Sequence, residues 1–445
     1  MAKDLTVGSP AKQLTLFALP MTISVIFQQF YNMADNIIAG KFISDGALAA
    51  VGNAYPVTMI YMAVALGINI GCSVVISQFF GAKNYEKTRS AVSTALITTV
   101  SLSLVLLVLG LLVCDPLLRL LNTPADIFGD TAAYLHIYTC GLTFIMLYNI
   151  CTGTFNALGD SVTPLIFLIA SSVSNVFVNI LFVTVFDLGV AGLAWATFLC
   201  QGVAAALAFF VLETRLRKLH SGRYQRFSWD ILKKEALLSI PGILQQSFIS
   251  VGNLMVQGII NSFGTVVIGA FSAVSKINTF AVQLFTTISN AISAFTAQNI
   301  GAGRPDRVKQ GWRQGMVINT GLAVVFTLVY VFASDAVTGI FVSRESLEIV
   351  ETGRSFLRLV PWFYCVVCLK LSCDGVLHGS GAARMFMATT LLDLILRVAL
   401  SYLLSPTLGY LGVWISWPIG WTLSAALSLW FYLRGNWKTA FAVDN

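Results

Sequence analysis

Twelve apolar stretches follow one another along this chain, and few folds can accommodate that. They lie at roughly 14–39, 48–80, 90–113, 131–156, 162–186, 189–212, 236–261, 266–299, 311–333, 353–378, 384–405 and 409–433. A helix needs about 20 apolar residues to cross the hydrocarbon core of a bilayer. Each stretch has at least that length. Inside hydrocarbon no water pairs with backbone N–H and C=O groups, so every crossing segment must satisfy its own, as a helix does. Only 11% of the residues are charged, against about 25% in an ordinary soluble domain. Most of the surface therefore faces lipid, and no segment is polar and long enough to form a separate soluble domain.

The distribution of charge sets the orientation. With the N-terminus inside, the inner segments carry nineteen Lys and Arg residues and the outer segments five. Lys276, Lys370 and Arg397 sit within spans. This is the positive-inside asymmetry. It predicts an inner-membrane protein with both termini cytoplasmic, and it accounts for the net charge of +7 without nucleic acid as a partner. The first apolar stretch reads as a span, so no cleavable signal peptide is expected.

The one long polar stretch, 213–235, lies at the midpoint, and the two halves match across it. Leu19-Pro20 aligns with Ile240-Pro241, and Gln78-Phe79-Phe80-Gly81-Ala82 with Gln298-Asn299-Ile300-Gly301-Ala302. Further on, Gly153 and Gly159 align with Gly375 and Gly381, and Gly189-Val190-Ala191-Gly192 with Gly409-Tyr410-Leu411-Gly412. The offset stays between 220 and 222. The expected fold is thus an all-α integral membrane protein of about twelve transmembrane helices in two pseudo-symmetric six-helix bundles. The bundles are expected at 1–213 and 236–445, joined by a cytoplasmic basic linker at 214–235. Six spans per half make the repeats parallel, and transporters of that kind bind their substrates near the midplane.

Polar side chains within spans are costly and usually face a cavity or a partner. The first span carries Gln28, Asn32 and Asp35 at i, i+4 and i+7, on one helical face with Tyr31 and Asn36 beside them. Asp35 has no basic residue one turn away, which suits a group that binds and releases a proton. It also fits a hydrated carboxylate capping the turn at Gly40. Ser171, Asn175 and Asn179 form a stripe in the fifth span, and the sixth carries Thr197 and Gln201. These residues are placed either to hydrogen-bond the Asp35 carboxyl or to bond between helices. In the second repeat Asn32 falls on Asn253 and Asn36 on Gln257, whereas Asp35 falls on Val256. The acid does not recur, which points to ion coupling in the N-terminal half. Lys370 and Asp374, and likewise Asp393 and Arg397, are i, i+4 pairs that read as self-neutralising. Asp374 is the second candidate for contact with a cation.

Catalytic chemistry finds little support. His136, His220 and His378 show no metal-like spacing to one another, and there is no P-loop. The eight cysteines, including the Cys365-x-x-Cys368 pair, lie in spans or at their ends and read as small apolar residues. No enzymatic role and no cofactor are expected.

This pattern resembles the MATE (multidrug and toxic compound extrusion) family, within a wider group that includes lipid flippases. Four features carry the resemblance across nearly the whole chain. They are Pro20 before a polar span ending Asp35-Asn36-Ile37-Ile38-Ala39-Gly40, the paired Gln78 and Gln298 motifs before basic loops, Ala157-Leu158-Gly159-Asp160-Ser161-Val162-Thr163-Pro164, and the Gly189 and Gly409 motifs. The resemblance implies a monomeric antiporter that exports cationic, amphipathic compounds against inward proton flow, with sodium as the alternative ion. The family's acid in the first span falls on Asp35, its asparagines in the fifth on Asn175 and Asn179, and a polar position in the sixth on Thr197. No metal beyond a sodium ion at Asp35 is implied. Helical faces suggest Tyr31, Asn32, Gln246, Asn253, Phe280, Gln283, Trp362 and Asp374 as substrate contacts. Two departures stand out. Asn156 and His378 occupy positions where the family often has arginine, and the seventh span, read from residue 236, holds no acid; the second favours protons over sodium. A flippase of lipid-linked sugars is the alternative, although it needs several intramembrane arginines and Arg397 stands alone. A membrane-embedded transferase would need converging His, Asp or Glu at the membrane surface, which the loops do not supply.

Overall fold

The computed structural model describes residues 4–42, 45–219, 222–339 and 347–438, without the side chains of 32–42, 45, 47, 48, 347 and 436. All regular structure among these residues is helical. The chain folds into two compact units, one built on Leu19–Ile243 and the other on Leu244–Asn445 together with Leu5–Ala18.

The first unit holds α2 (Asp45–Gly81), α3 (Tyr85–Leu120), α4 (Ala125–Cys140), α5 (Leu142–Ala157), α6 (Val162–Thr184) and α7 (Gly189–Lys218). The second holds α9 (Thr265–Gly301), α10 (Pro305–Phe332), the short α11 (Ser334–Thr338), α12 (Leu347–Leu359), α13 (Tyr364–Gly379), α14 (Ala383–Leu408) and α15 (Tyr410–Arg434). Helices α1 (Pro10–Phe42) and α8 (Trp229–Asn261) are divided between them. The cuts fall at Leu19 and Leu244, beside Pro20 and Pro241, whereas the sequence suggested a cut at the midpoint. Proline withholds the N–H that would bond one turn back, so each long helix is weakest where it changes unit.

Ten segments among the described residues are long and apolar enough to cross a membrane. Helices α4 and α5, bent by 47° at Gly141, make an eleventh as one broken span. Helix α15 is the twelfth long element. Its tryptophans and serines dilute its hydropathy, but Tyr410–Leu433 carries no charge and is about 36 Å long at 1.5 Å per residue.

The repeat is visible in the backbone. Positive φ angles recur at Lys83 (57°) and Gly303 (68°), at Gly159 (76°) and Gly381 (85°), and at Gly189 (53°) and Gly409 (61°). The first two pairs close the helix before them with the same bonds. Ala82 N donates to Gln78 O as Ala302 N does to Gln298 O, and Gly159 N donates to Asn156 O as Gly381 N does to His378 O. Close packing recurs as well. A Cβ on Gly153 would collide with Asn69, and one on Gly375 with Ser289. Helix α2 also crosses α8 on a small-residue pair, where a Cβ at Gly67 would strike Ile243 and one at Gly71 would strike Ser239. Without a hydrophobic drive between helices in lipid, such close backbone approach is what holds spans together.

Within the polar midpoint, residues 222–228 form an irregular segment docked on α3. Gln225 N donates to Ser90 Oγ (3.1 Å), Ser228 N to Thr94 Oγ1 (3.1 Å), and the Arg89 guanidinium lies 4.1 Å from the Tyr224 ring centre. The corresponding N-terminal peptide is held in the second unit. Leu5 N donates to Gln298 Oε1 (2.9 Å), Arg304 Nη1 to Thr6 O (2.9 Å) and Arg307 Nη1 to Gly8 O (3.0 Å). The Gln298 motif therefore anchors the start of the chain. The second unit's core is aromatic, with Phe271 stacked on Trp414 (5.8 Å) and Phe285, Tyr330, Tyr364 and Trp421 packed around them.

Candidate ion and substrate sites

In the first unit the predicted stripe of α6 is buried, with Asn175 and Asn179 at 3% and 2% exposure. The Tyr31 hydroxyl donates to Asn175 Oδ1 at 3.0 Å, and Asn179 Nδ2 donates to the same oxygen at 2.7 Å. One asparagine thus accepts two bonds, and α1 is tied to α6. Thr197 lies on α7 but turns its hydroxyl to the Leu193 carbonyl (3.0 Å). Asp35 and Asn32 lie on α1, and their side chains are outside the described residues. Along α1, Asp35 comes one turn after Tyr31.

The second unit holds a group of charges instead. Lys370 Nζ is 2.7 Å from Asp374 Oδ2, with side-chain exposures of 5% and 2%. Asp374 Oδ1 accepts from Thr389 (3.0 Å) and Ser428 (2.7 Å). Both carboxylate oxygens are engaged, so Asp374 is enclosed and does not present itself to a substrate as the sequence suggested. The expected Asp393–Arg397 pair is not formed. Arg397 Nη2 donates to Asn253 Oδ1 (3.3 Å), and its guanidinium lies 4.9 Å from the Trp417 ring centre. Asp393 Oδ1 is buried and makes no hydrogen bond among the described residues. A Cβ at Gly420 would lie 3.0 Å from that oxygen, so the glycine leaves it room.

The other predicted substrate residues do not converge on one point. Asn253 meets Arg397, Phe280 packs edge-on against Phe326 (5.9 Å), and Trp362 is 57% exposed in the turn between α12 and α13. Gln246 is half-buried on α8, and Gln283 is exposed on α9.

Two copies of one fold unit at a fixed offset, each with its own buried polar site, ask for a comparison with known families. The sequence profile of the MatE family matches residues 20–181 and again 241–403. The chain belongs to the MatE family. The two matches start 221 residues apart, within the offset of the internal repeat. The Bacillus subtilis protein named "Probable multidrug resistance protein YpnP" is 27% identical over 440 residues, covering 98% of each chain. "Probable multidrug resistance protein YoeA" from the same organism is 27% identical over 443 residues, covering 96% of this chain and 94% of that one. Among solved structures, an outward-facing multidrug resistance MATE transporter of the MOP superfamily superposes with a TM-score of 0.92 at 22% identity, covering 98% of each chain.

Two features of this MatE chain escaped the sequence. One is Arg215, which arrives from α7 at the start of α6. Its Nη1 pairs with Asp160 and its Nη2 donates to Thr163 Oγ1 (2.9 Å). Asp160 in turn accepts from the Val162 and Thr163 amides (3.2 and 3.1 Å), anchoring the start of α6. The second feature is Glu235. Helix α8 begins at Trp229, so the seventh helix does carry an acid, contrary to the reading from residue 236. Glu235 is 2% exposed, and neither carboxylate oxygen makes a hydrogen bond among the described residues. Charged Lys233 and Lys234 beside it disguised the segment as loop.

Proposed function

We propose that this MatE chain is a secondary antiporter that exports organic cations across the cell membrane in exchange for protons. Asp35 carries the proton, with Asn175 and Asn179 as its polar neighbours. The observation that carries the reading is the Tyr31–Asn175–Asn179 chain of hydrogen bonds, which supports a polar site one helical turn from Asp35 along α1. A lone carboxylate near such a network gains or loses one charge per proton, which is what coupling to a proton gradient needs. The names of the Bacillus subtilis relatives support drug-like substrates. The excess of basic residues on one side supports cytoplasmic termini. We further read the chain as a monomer in the inner membrane, with sodium as the alternative coupling ion.

Dye efflux from proteoliposomes tests this. Wild type should export ethidium on an imposed proton gradient, and Asp35→Asn should not. Efflux on a sodium gradient alone would replace the proton. An Asp35→Asn variant as active as wild type would overturn the assignment. A folded wild type with no efflux would turn attention to lipid-linked sugars as substrates.

A further inference from the structure

Three side chains from two helices meet near the end of α3 that lies away from its basic loop. Cys114 and Asp115 are neighbours on α3, and His136 stands on α4. One ligand atom of each (the thiol sulfur, a carboxylate oxygen, a ring nitrogen) lies within 4.8 Å of the other two. His136 Nε2 is already 3.0 Å from Asp115 Oδ1. The linear sequence hides the group, because His136 lies 21 positions beyond Asp115, past a turn.

We propose that Cys114, Asp115 and His136 bind a divalent zinc ion. The donor set selects the metal. A thiolate and an imidazole suit zinc and exclude magnesium and calcium, which take oxygen ligands. Bond lengths of about 2.3 Å to sulfur and 2.0 Å to nitrogen and oxygen put tetrahedral ligand atoms roughly 3.3–3.6 Å apart. The His–Asp edge is near that value, and the sulfur, within 4.8 Å of both, needs to draw in by at most about 1.5 Å, within reach of a χ1 adjustment. Three protein ligands leave a fourth position for water.

The surroundings hold the ligands in place. Cys114 is buried among Ala54, Val57, Leu118 and Leu135, which lock α3 against α4. It also borders an apolar cavity of about 200 Å³ lined by Tyr61, Leu109, Gly110 and Leu135. Asp115 and His136 stand on the open side, with 50% and 39% of their side chains exposed. The ion enters past them and meets the thiol from the wet side. Binding releases the thiol proton, and that of the imidazole where it is charged, so affinity falls as the pH falls. Occupancy ties α3 to α4 within the first unit. None of this rests on the transport reading.

Cobalt is the direct probe. Co²⁺ titrated into the purified full-length chain in detergent should raise a thiolate-to-cobalt charge-transfer band that saturates at one equivalent and is bleached by Zn²⁺. Cys114→Ser should abolish the band, and Cys140→Ser, which changes an exposed cysteine, should leave it intact. His136→Ala should weaken binding by more than the roughly 10–100-fold typical of losing an outer-shell partner. Should Cys114→Ser fail to fold, wild type still answers through alkylation read by peptide mass spectrometry. Zn²⁺ should then protect Cys114 and leave the labelling of Cys140 unchanged. A folded wild type with neither band nor protection overturns the site, and so does a band that survives Cys114→Ser.

Discussion

Replacing Asp374 with asparagine removes one charge from the second unit and almost nothing else. The amide keeps an oxygen for the hydroxyls of Thr389 and Ser428, which now donate at 3.0 and 2.7 Å. What it takes away is the partner of Lys370, whose side chain is 5% exposed. An ammonium left unpaired in such a place costs about 3–5 kcal/mol. Asp374→Ala should cost about 1 kcal/mol more, because Ser428 then loses its acceptor too. Thr389 loses less, since it also donates to the Phe386 carbonyl at 2.8 Å. Lys370→Met should be milder than Asp374→Asn, because both hydroxyls still solvate the carboxylate. The double variant Lys370→Met/Asp374→Leu should recover most of the loss, since a buried pair and its apolar replacement are often of similar stability. Denaturant titration in mixed micelles, run as a double-mutant cycle, measures all of these. If Asp374→Asn lies within about 1 kcal/mol of wild type, or the double variant is as poor as the two single losses together, the reasoning fails.

Other outcomes follow from single contacts. Arg215→Ala leaves Asp160, 3% exposed, without its cation, and should lower stability by about 2 kcal/mol. Arg215→Lys should rescue little, because lysine has no fork to span Asp160 and Thr163; thermal unfolding in detergent reads both. Gly71→Val puts a side chain into Ser239 and should abolish the monodisperse folded peak on size exclusion, whereas Gly129→Ala, where a Cβ meets nothing within 4 Å, should be silent. In proteoliposomes, Asn175→Leu should reduce proton-driven dye efflux far more than Tyr31→Phe. The leucine removes the shared acceptor, and the phenylalanine removes only one of two donors.

The spans, the repeat and the buried stripe on α6 were legible because each depends on a pattern within one helix. Apolar length marks a crossing whatever it packs against, and the i, i+4 spacing of Asn175 and Asn179 fixes a shared face. What the sequence hid depends on a second helix. The choice of Arg397 between Asp393 and Asn253 is settled by where α8 passes α14, and local spacing favoured the wrong partner. Arg215 reaches Asp160 across 55 positions, and Cys114 meets His136 only because α3 and α4 pack side by side. The point where α1 changes units is a different case. Pro20 was visible as a breaker of the helix, but nothing local says which unit the first turns will join. Gln298, Arg304 and Arg307 decide that, by hydrogen-bonding the N-terminal peptide at Leu5, Thr6 and Gly8.

Where a transported proton resides depends on which unit can change its net charge. In the buried group on α13 and α14 two bases, Lys370 and Arg397, stand with two acids, Asp374 and Asp393. A proton on Asp374 would have to displace the Lys370 bond or compete with two hydroxyls for the carboxylate. Asp393 is the looser acid, since its Oδ1 makes no hydrogen bond among the described residues. It shares its surroundings with Lys370, Arg397 and the second acid, Asp374. The network tied to α1 in the first unit joins Tyr31, Asn175 and Asn179. On the proposed reading, a proton on Asp35 alters the first unit's charge. Asp393→Asn should therefore keep the pH dependence of efflux, even if its rate drops, and Asp35→Asn should lose that dependence. The reverse result, with pH dependence surviving Asp35→Asn and vanishing in a folded Asp393→Asn, would move the coupling site to α14 and leave the asparagine stripe of α6 as interhelical bonding only.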